Sequence, residues 1–190
     1  MRDIRDFDVL ILPGRDDAGA DHWQTHWEQA FPTMRRVQQA EWRTPVFADW
    51  SQRLTEAVHN CRKPVLLVAH SLGTSLVMRW AEEAKIGAVT GAFLVAPSDR
   101  DRPSADPDGP PRGFGPMLTE AFPFPSMVLA SENDEVVTLE RARFFAESWE
   151  SSFVNLGPLG HVGSAAKLGL WPQGLIWLGQ FVASLTTGAR

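Results

Sequence analysis

The stretch KPVLLVAHSLG, residues 63–73, constrains the fold of this chain more than any other part of the sequence. Its apolar residues follow one another without alternation, which is typical of a strand buried on both faces of a parallel sheet. The run ends at Ser71, and the helical pattern of residues 71–85 begins there. A strand that passes directly into a helix is half of a β-α-β unit, so this stretch predicts a parallel sheet with helices packed against it.

Short apolar runs alternate with helical patterns along the rest of the chain, and no internal repeat interrupts them. We therefore expect a single α/β domain over residues 1–190, with a mostly parallel sheet between two layers of helices. Asp21, Thr138 and Pro172 each have a residue type that suits a helix start. The predicted strands are 8–14, 34–40, 63–70, 89–97, 125–134 and 151–157, and the predicted helices are 21–31, 47–61, 71–85, 138–150 and 171–185.

Residues 98–125 break this alternation. The segment holds 7 of the chain's 14 prolines, so it forms neither a long helix nor a central strand. It follows a predicted strand, and we expect it to lie as a lid or cover over the carboxyl edge of the sheet, where open α/β folds bind ligands. Phe114 within this segment either covers a substrate pocket or anchors the loop.

Charge and composition exclude several classes of function. The formal net charge is -5 and the pI is about 5.5, which argues against the basic surface that nucleic-acid binding requires. Every apolar run is shorter than the roughly 18 residues of a membrane span, and acidic residues near the N-terminus do not fit a signal peptide. The single cysteine, Cys61, leaves no internal disulfide. We expect a cytoplasmic protein that acts on a small molecule, and the sequence leaves its oligomeric state open.

The residues around Ser71, AHSLG, match the nucleophile elbow Gly-x-Ser-x-Gly with Ala69 in the first glycine position. In this motif a sharp strand-to-helix turn lifts the serine hydroxyl above the sheet, so the neighbouring positions must be small. The helix start also places the backbone amide of Leu72 where it stabilises an oxyanion. The simpler alternative is that Ser71 is only a helix N-cap.

A serine hydroxyl needs a general base, and the chain order singles one out. Where the nucleophile lies on such an elbow, the order along the chain is serine, acid, histidine. Of the five histidines only His161 follows Ser71. It lies in a glycine-rich loop directly after the last predicted strand, from which an imidazole can reach the serine.

Several carboxylates are candidates for the group that orients this histidine. Asp134 lies just past the fifth predicted strand, from which it can reach the far nitrogen of His161. Asp99 and Asp101 follow the fourth strand and satisfy the same topology. We favour Asp134 and keep the other two as alternatives.

The loop after the first strand is expected to supply a second oxyanion donor, the backbone amide of Arg15. Three further residues are candidates for the wall of the substrate pocket, together with Phe114. They are Gly14 in the same turn, His70 beside the serine, and Trp23 in the first predicted helix.

His22 and His26 lie four residues apart on that helix, a spacing that can hold zinc. However, Trp23 replaces the glutamate of His-Glu-x-x-His, and no third ligand is apparent. Glycine-rich nucleotide-binding patterns are absent as well. We therefore expect neither a metal nor a cofactor, and we expect both histidines to be partly exposed.

Together these residues give the chain a family resemblance. It resembles the α/β-hydrolase superfamily, and within it the small serine hydrolases related to retinoblastoma-binding protein nine. The distinctive stretches are DHWQTHWE, AHSLG, SENDEVV and GHVGSAAKLGLWPQG, and the resemblance extends over nearly the whole chain. It implies a compact sheet of about six strands, a triad of Ser71, Asp134 and His161, and no cofactor. The chain departs from the pattern at Ala69 and in PGRDDAG, which lacks the His-Gly start common in larger esterases.

The hypothesis from the sequence is a serine hydrolase that cleaves a small ester or related acyl compound through an acyl-enzyme. Transfer of the acyl group to an acceptor other than water would use the same residues. The alternative from another class is a binding or partner-interaction module on a hydrolase scaffold, with a slow or vestigial triad.

Overall fold

The structure, a computed structural model, describes residues 2–83, 87–103 and 108–185. Within these residues six strands and five helices follow in the order that the sequence predicts, and a helix separates each pair of consecutive strands except the fourth and the fifth. Two short 3-10 helices lie at Ile4–Asp6 and Ser164–Ala166. The strands are β1 (Asp8–Leu12), β2 (Met34–Arg36), β3 (Val65–Ser71), β4 (Val89–Pro97), β5 (Ser126–Ala130) and β6 (Ser152–Asn155). The helices are α1 (Trp23–Ala30), α2 (Phe47–His59), α3 (Leu72–Glu83), α4 (Leu139–Ser148) and α5 (Pro172–Ser184).

The six strands form one sheet in the order β2-β1-β3-β4-β5-β6, and every neighbouring pair is parallel. The chain therefore winds outward from β1 in both directions, and the carboxyl ends of all six strands meet at one edge. β3 lies between β1 and β4, and its residues are buried from Val65 to His70. This explains why its sequence is apolar at consecutive positions.

Helices cover both faces of the sheet, and each face has its own apolar core. Alternate residues of β3 point to opposite sides, so that Leu67 packs with α2, α3 and α4 while Leu66 packs with α1 and α5. Trp50 and Trp80 fill the first core, and Trp23 and Trp27 fill the second. This arrangement confirms the predicted three-layer α/β sandwich with about six strands.

Two of the three predicted helix starts are confirmed. Thr138 caps α4 by accepting a hydrogen bond from the backbone amide of Arg141, and Pro172 is the first residue of α5. The prediction of Asp21 as the cap of α1 is wrong. His22 takes that position, and its Nδ1 accepts a hydrogen bond from the backbone amide of Gln24 at 3.1 Å. The last two residues predicted for α3, 84 and 85, lie outside the described residues.

The proline-rich segment is described over residues 98–103 and 108–125. Phe114 within it is fully buried and packs edge-on against Phe47 and Trp50 of α2, so it anchors the segment to the first core. Phe122 packs against Trp149 with the two rings tilted, 5.3 Å between their centroids. Along the described parts of the chain, no helix combines the length and apolar character needed to cross a membrane.

Candidate active site

Ser71 occupies a strained turn between the central strand and a helix. It is the last residue of β3, and Leu72 begins α3. Its φ angle is 53°, in the left-handed region that residues with a Cβ rarely adopt. Such a conformation costs about 1–3 kcal/mol and persists only where the surrounding structure holds it. Thr74 supports the turn, because its hydroxyl donates a hydrogen bond to the Ser71 carbonyl at 2.7 Å.

Two glycines allow this turn to lie against the end of β1. A Cβ at Gly73 would lie 2.2 Å from the carbonyl oxygen of Leu12, and a Cβ at Gly14 would lie 2.9 Å from the Cβ of Ser71. Only a residue without a side chain fits at either position. The small residue before the serine, Ala69, is also fully buried. The small residues of the AHSLG pattern are therefore required because the backbone packs closely around Ser71.

The structure brings Ser71, His161 and Asp134 together at the carboxyl edge, from the end of β3 and from the loops that follow β6 and β5. His161 Nε2 lies 2.7 Å from Ser71 Oγ, and its Nδ1 lies 2.8 and 2.9 Å from the two carboxylate oxygens of Asp134. The Asp134 side chain is fully buried, and its Oδ1 also accepts a hydrogen bond from the backbone amide of Val136 at 2.8 Å. Because a carboxylate only accepts, Nδ1 carries the proton and Nε2 faces the serine hydroxyl as an acceptor.

The alternative acids lie in a different cluster. Asp99 is bound by the guanidinium of Arg141, with Nε 2.9 Å from its Oδ2, and Asp101 lies 2.7 Å from Nη2 of the same arginine. The hydrogen bond to Asp99 raises the pKa of Arg141. Of the three carboxylates that the sequence left open, the structure places Asp134 against His161.

Two side chains hold the backbone of the histidine loop. His70 Nε2 lies 2.8 Å from the carbonyl oxygen of His161, and the indole N–H of Trp23 donates to the carbonyl of Val162 at 2.9 Å. Val162 is fully buried and has a φ of 51°, a costly conformation for a β-branched residue. Neither contact is visible in the sequence, because each joins segments about ninety or more residues apart.

His22 and His70 are buried beside this loop, with ring centroids 4.8 Å apart. Burial, and then the nearby charge of Arg36, lowers the pKa of His22 to about 4. Burial also lowers the pKa of His70 well below its usual value. The expectation that His22 is partly exposed is wrong, whereas His26 is half-buried. The described residues contain no group of three side chains that could hold a metal.

A cleft of about 390 Å³ opens over the serine, and we call it the Ser71 cleft. Ser71, Leu72, His161 and Arg15 line it, but Trp23 and Phe114 do not. The assignment of these two aromatic residues to the pocket wall is corrected, because both are packed in the apolar cores. Of the two roles left open for Phe114, the structure shows the anchor of the loop. The cleft is lined by Arg15, Ser71, Leu72, Ser98, Asp99, Arg100, Arg102, Pro103, Pro111, Glu135, Val136 and His161.

Gly14 and His70 are also absent from this wall, so their assignment to the pocket is corrected too. Gly14 lies behind Ser71, and His70 lies behind His161. Sequence reasoning missed the residues after β4, above all Arg100 and Arg102. Their position directly after a parallel strand was the signal that could have identified them.

A family model described as serine hydrolase matches residues 9–180. No curated protein gave a match. A protein described as a YdeN-like hydrolase from Pectobacterium atrosepticum superposes with a TM-score of 0.84 at 29% identity, over 95% of this chain and 93% of that one.

Two more distant structures share the fold. The ydeN gene product of B. subtilis superposes with a TM-score of 0.72 at 19% identity, over 93% of this chain and 98% of that one. A protein described as the non-heme bromoperoxidase BpoC of Mycobacterium tuberculosis superposes with a TM-score of 0.67 at 14% identity, over 96% of this chain and 93% of that one. At such low identities these two matches bear on the architecture alone.

Proposed function

The chain belongs to the serine hydrolase family, and from this we propose that it cleaves the ester bond of a small acyl compound. One observation carries the proposal. His161 stands between Ser71 Oγ at 2.7 Å and the Asp134 carboxylate at 2.8 Å, so a nucleophile, a base and an orienting acid are aligned. This is the geometry by which a serine hydroxyl becomes reactive near neutral pH.

The reaction begins when Ser71 Oγ attacks the carbonyl carbon of the ester. As the new C–O bond forms, the hydroxyl proton passes to His161 Nε2 and the carbonyl oxygen becomes an oxyanion. The buried Asp134 carboxylate stabilises the imidazolium and keeps the ring in position. Collapse of the tetrahedral intermediate then expels the alcohol, which takes the proton from His161 Nε2.

Two backbone amides are proposed to stabilise the oxyanion. Leu72 is the first residue of α3, where the helix dipole favours negative charge, and it lines the Ser71 cleft. Arg15 lines the cleft from the loop after β1. Removal of one such donor typically lowers kcat by about two to three orders of magnitude in enzymes of this kind.

Water completes the reaction by attacking the acyl-enzyme, with His161 now acting as the base. The size of the cleft, about 390 Å³, falls at the small end of the roughly 300–1,000 Å³ that is common for ligand sites. A short acyl compound is therefore favoured. Part of the proline-rich segment supplies the outer wall through Arg100, Arg102 and Pro111. We propose that the described parts of this segment, residues 98–103 and 108–125, act as the cover of the site.

The test is covalent labelling with a fluorophosphonate probe, with the adduct located by mass spectrometry. Wild-type protein should be labelled at Ser71, and Ser71→Ala and His161→Ala should both lose the label. Ser164→Ala is the matched control, because Ser164 is an exposed serine outside the cleft and should not affect labelling. A folded protein that is not labelled, or is labelled elsewhere, would favour the binding-module alternative.

Turnover of 4-nitrophenyl acetate separates the candidate acids. Asp134→Asn should lower kcat by about four orders of magnitude, the typical cost of losing the carboxylate behind a catalytic histidine. Asp99→Asn should have a much smaller effect, because Asp99 is bound to Arg141. The reverse order of effects would transfer the orienting role to Asp99.

A further inference from the structure

One cationic side chain in the Ser71 cleft has no hydrogen-bond partner among the residues that the structure describes. Arg100 follows β4 directly and lines the cleft together with Ser71 and His161. Its Nε is buried and has no hydrogen-bond partner. Within residues 2–83, 87–103 and 108–185, no carboxylate forms an ion pair with it.

The neighbouring charged groups are already engaged. Asp99, the acidic residue beside Arg100, is held by Arg141 through two hydrogen bonds of 2.9 and 3.2 Å. Arg102 donates to the backbone carbonyls of Glu135 and Val136. Arg100 thus differs from Arg102 and Arg141, because no described residue supplies an acceptor for its side chain.

An unpaired, partly buried guanidinium is costly for the folded protein. Its Nε–H has lost water without gaining an acceptor, and its charge lies in a region of reduced dielectric. Accordingly, burial lowers the pKa of Arg100. A negatively charged ligand in the cleft would accept hydrogen bonds from the guanidinium and also balance its charge. Relief of this unfavourable burial would then add to the binding free energy of such a ligand.

We propose that Arg100 binds a carboxylate carried by the acyl substrate, so that the preferred substrates are esters bearing a second, anionic group. This inference rests on the proposed serine hydrolase function of Ser71. A carboxylate fits the planar fork of a guanidinium. The cleft also contains Asp99 and Glu135, which favours a singly charged carboxylate over a doubly charged phosphate.

The experiment compares charged and neutral esters of similar length. The first pair is 4-nitrophenyl hydrogen glutarate and 4-nitrophenyl pentanoate, which places the charge on the acyl side. The second pair is 3-acetoxybenzoate and phenyl acetate, which places it on the leaving group. In at least one pair, wild-type kcat/KM should favour the anion by about tenfold or more, the scale of a charge-assisted hydrogen bond.

Arg100→Gln should bring that ratio close to one, and Arg100→Lys should restore it in part. Arg102→Gln is the matched control, because Arg102 lies on the same loop and lines the same cleft but is held by backbone carbonyls. This variant should keep the preference. Equal losses in both arginine variants would assign the effect to the overall charge of the cleft, and no preference in either pair would overturn the proposal.

A binding measurement separates this inference from the function on which it rests. Glutarate should raise the thermal unfolding temperature of Ser71→Ala, and it should not do so when Arg100→Gln is added. Stabilisation by inorganic phosphate that exceeds that by glutarate would contradict the choice of a carboxylate. If neutral esters are hydrolysed through Ser71 but glutarate has no effect, the hydrolase proposal stands and the anion site fails.

Discussion

The hydrogen bond between Trp23 and the histidine loop predicts a defect in catalysis from a residue that lies outside the cleft. The change is Trp23→Phe, which removes the indole N–H that donates to the Val162 carbonyl at 2.9 Å. Val162 follows His161 directly, is fully buried, and has a left-handed backbone conformation. The substitution therefore leaves a buried carbonyl without its donor at the most strained position of the loop.

The size of the effect follows from two opposing free energies. An unsatisfied buried carbonyl costs about 1–3 kcal/mol, and the strain stored at Val162 is of the same order. Because the free energy of the lost hydrogen bond is comparable to the strain energy at Val162, the bond is needed to hold the strained conformation. Without the bond, the loop lowers its free energy by relaxing toward an ordinary backbone conformation. Each 1.4 kcal/mol changes the population of the productive position of His161 about tenfold, so we expect kcat to fall by about one order of magnitude. KM should change little, because Trp23 does not line the cleft.

Trp27→Phe is the matched control. Trp27 lies one turn further along α1, is also fully buried, and donates its indole N–H to the Leu170 carbonyl at 2.8 Å. The two variants lose the same chemical group from the same core, so their free energies of unfolding should fall by similar amounts. Only the Trp23 bond adjoins the triad.

The assay combines urea unfolding with steady-state hydrolysis of 4-nitrophenyl acetate and the rate of fluorophosphonate labelling. The expected result is similar destabilisation in the two variants and a tenfold loss of kcat and of labelling rate in Trp23→Phe alone. If Trp23→Phe is destabilised like Trp27→Phe and yet keeps wild-type kcat, the indole bond does not position His161 and the reasoning is refuted.

Two further predictions concern pH and backbone packing. The folded-state pKa of His22, about 4, lies below its ordinary value of 6.5. As the pH falls from 6.5 to about 4, the unfolded chain therefore binds a proton at this histidine before the folded protein does. The free energy of unfolding should fall by up to about 3 kcal/mol across this pH window. His22→Asn keeps a capping side chain and should flatten this dependence in urea unfolding measured across the window; an unchanged slope would contradict the assignment. Gly73→Ala should destabilise the protein by about 3 kcal/mol or more, because its Cβ would lie 2.2 Å from the Leu12 carbonyl oxygen. In the control, Gly179→Ala on the exposed face of α5 should stabilise it by up to about 1 kcal/mol; thermal unfolding that shows equal effects would refute the close contact.

The sequence could predict the parts of the fold that depend on local patterns. β3 and α3 were recognisable because an uninterrupted apolar run meets a helical pattern at Ser71. His161 could be selected because it is the only histidine after the serine. In contrast, aspartates at 99 and 134 follow strands that end at the same edge of the sheet, so topology alone left both open. The structure separates them through Arg141, which binds Asp99 from α4.

Sequence reasoning failed at one local helix cap and at one side chain that serves a distant backbone group. Aspartate is a common helix cap, so Asp21 was the natural choice, but the cap is His22. Trp23 was expected at the pocket because large aromatic residues often line ligand sites. In the structure its ring fills the second core and its N–H holds Val162. Such a bond spans 139 residues, and no periodicity or motif encodes it.

His70 makes a second long-range contact of this kind, and it lies within the AHSLG motif itself. Its position in AHSLG is formally variable, yet its Nε2 contacts the carbonyl of His161 at 2.8 Å. A carbonyl oxygen accepts and cannot donate, so Nε2 must carry the proton. Because burial lowers the pKa of His70 well below its usual value, the ring is neutral and has one N–H, which this contact fixes on Nε2. His70 therefore holds the backbone of His161, so that β3 positions both partners of the Ser71–His161 hydrogen bond.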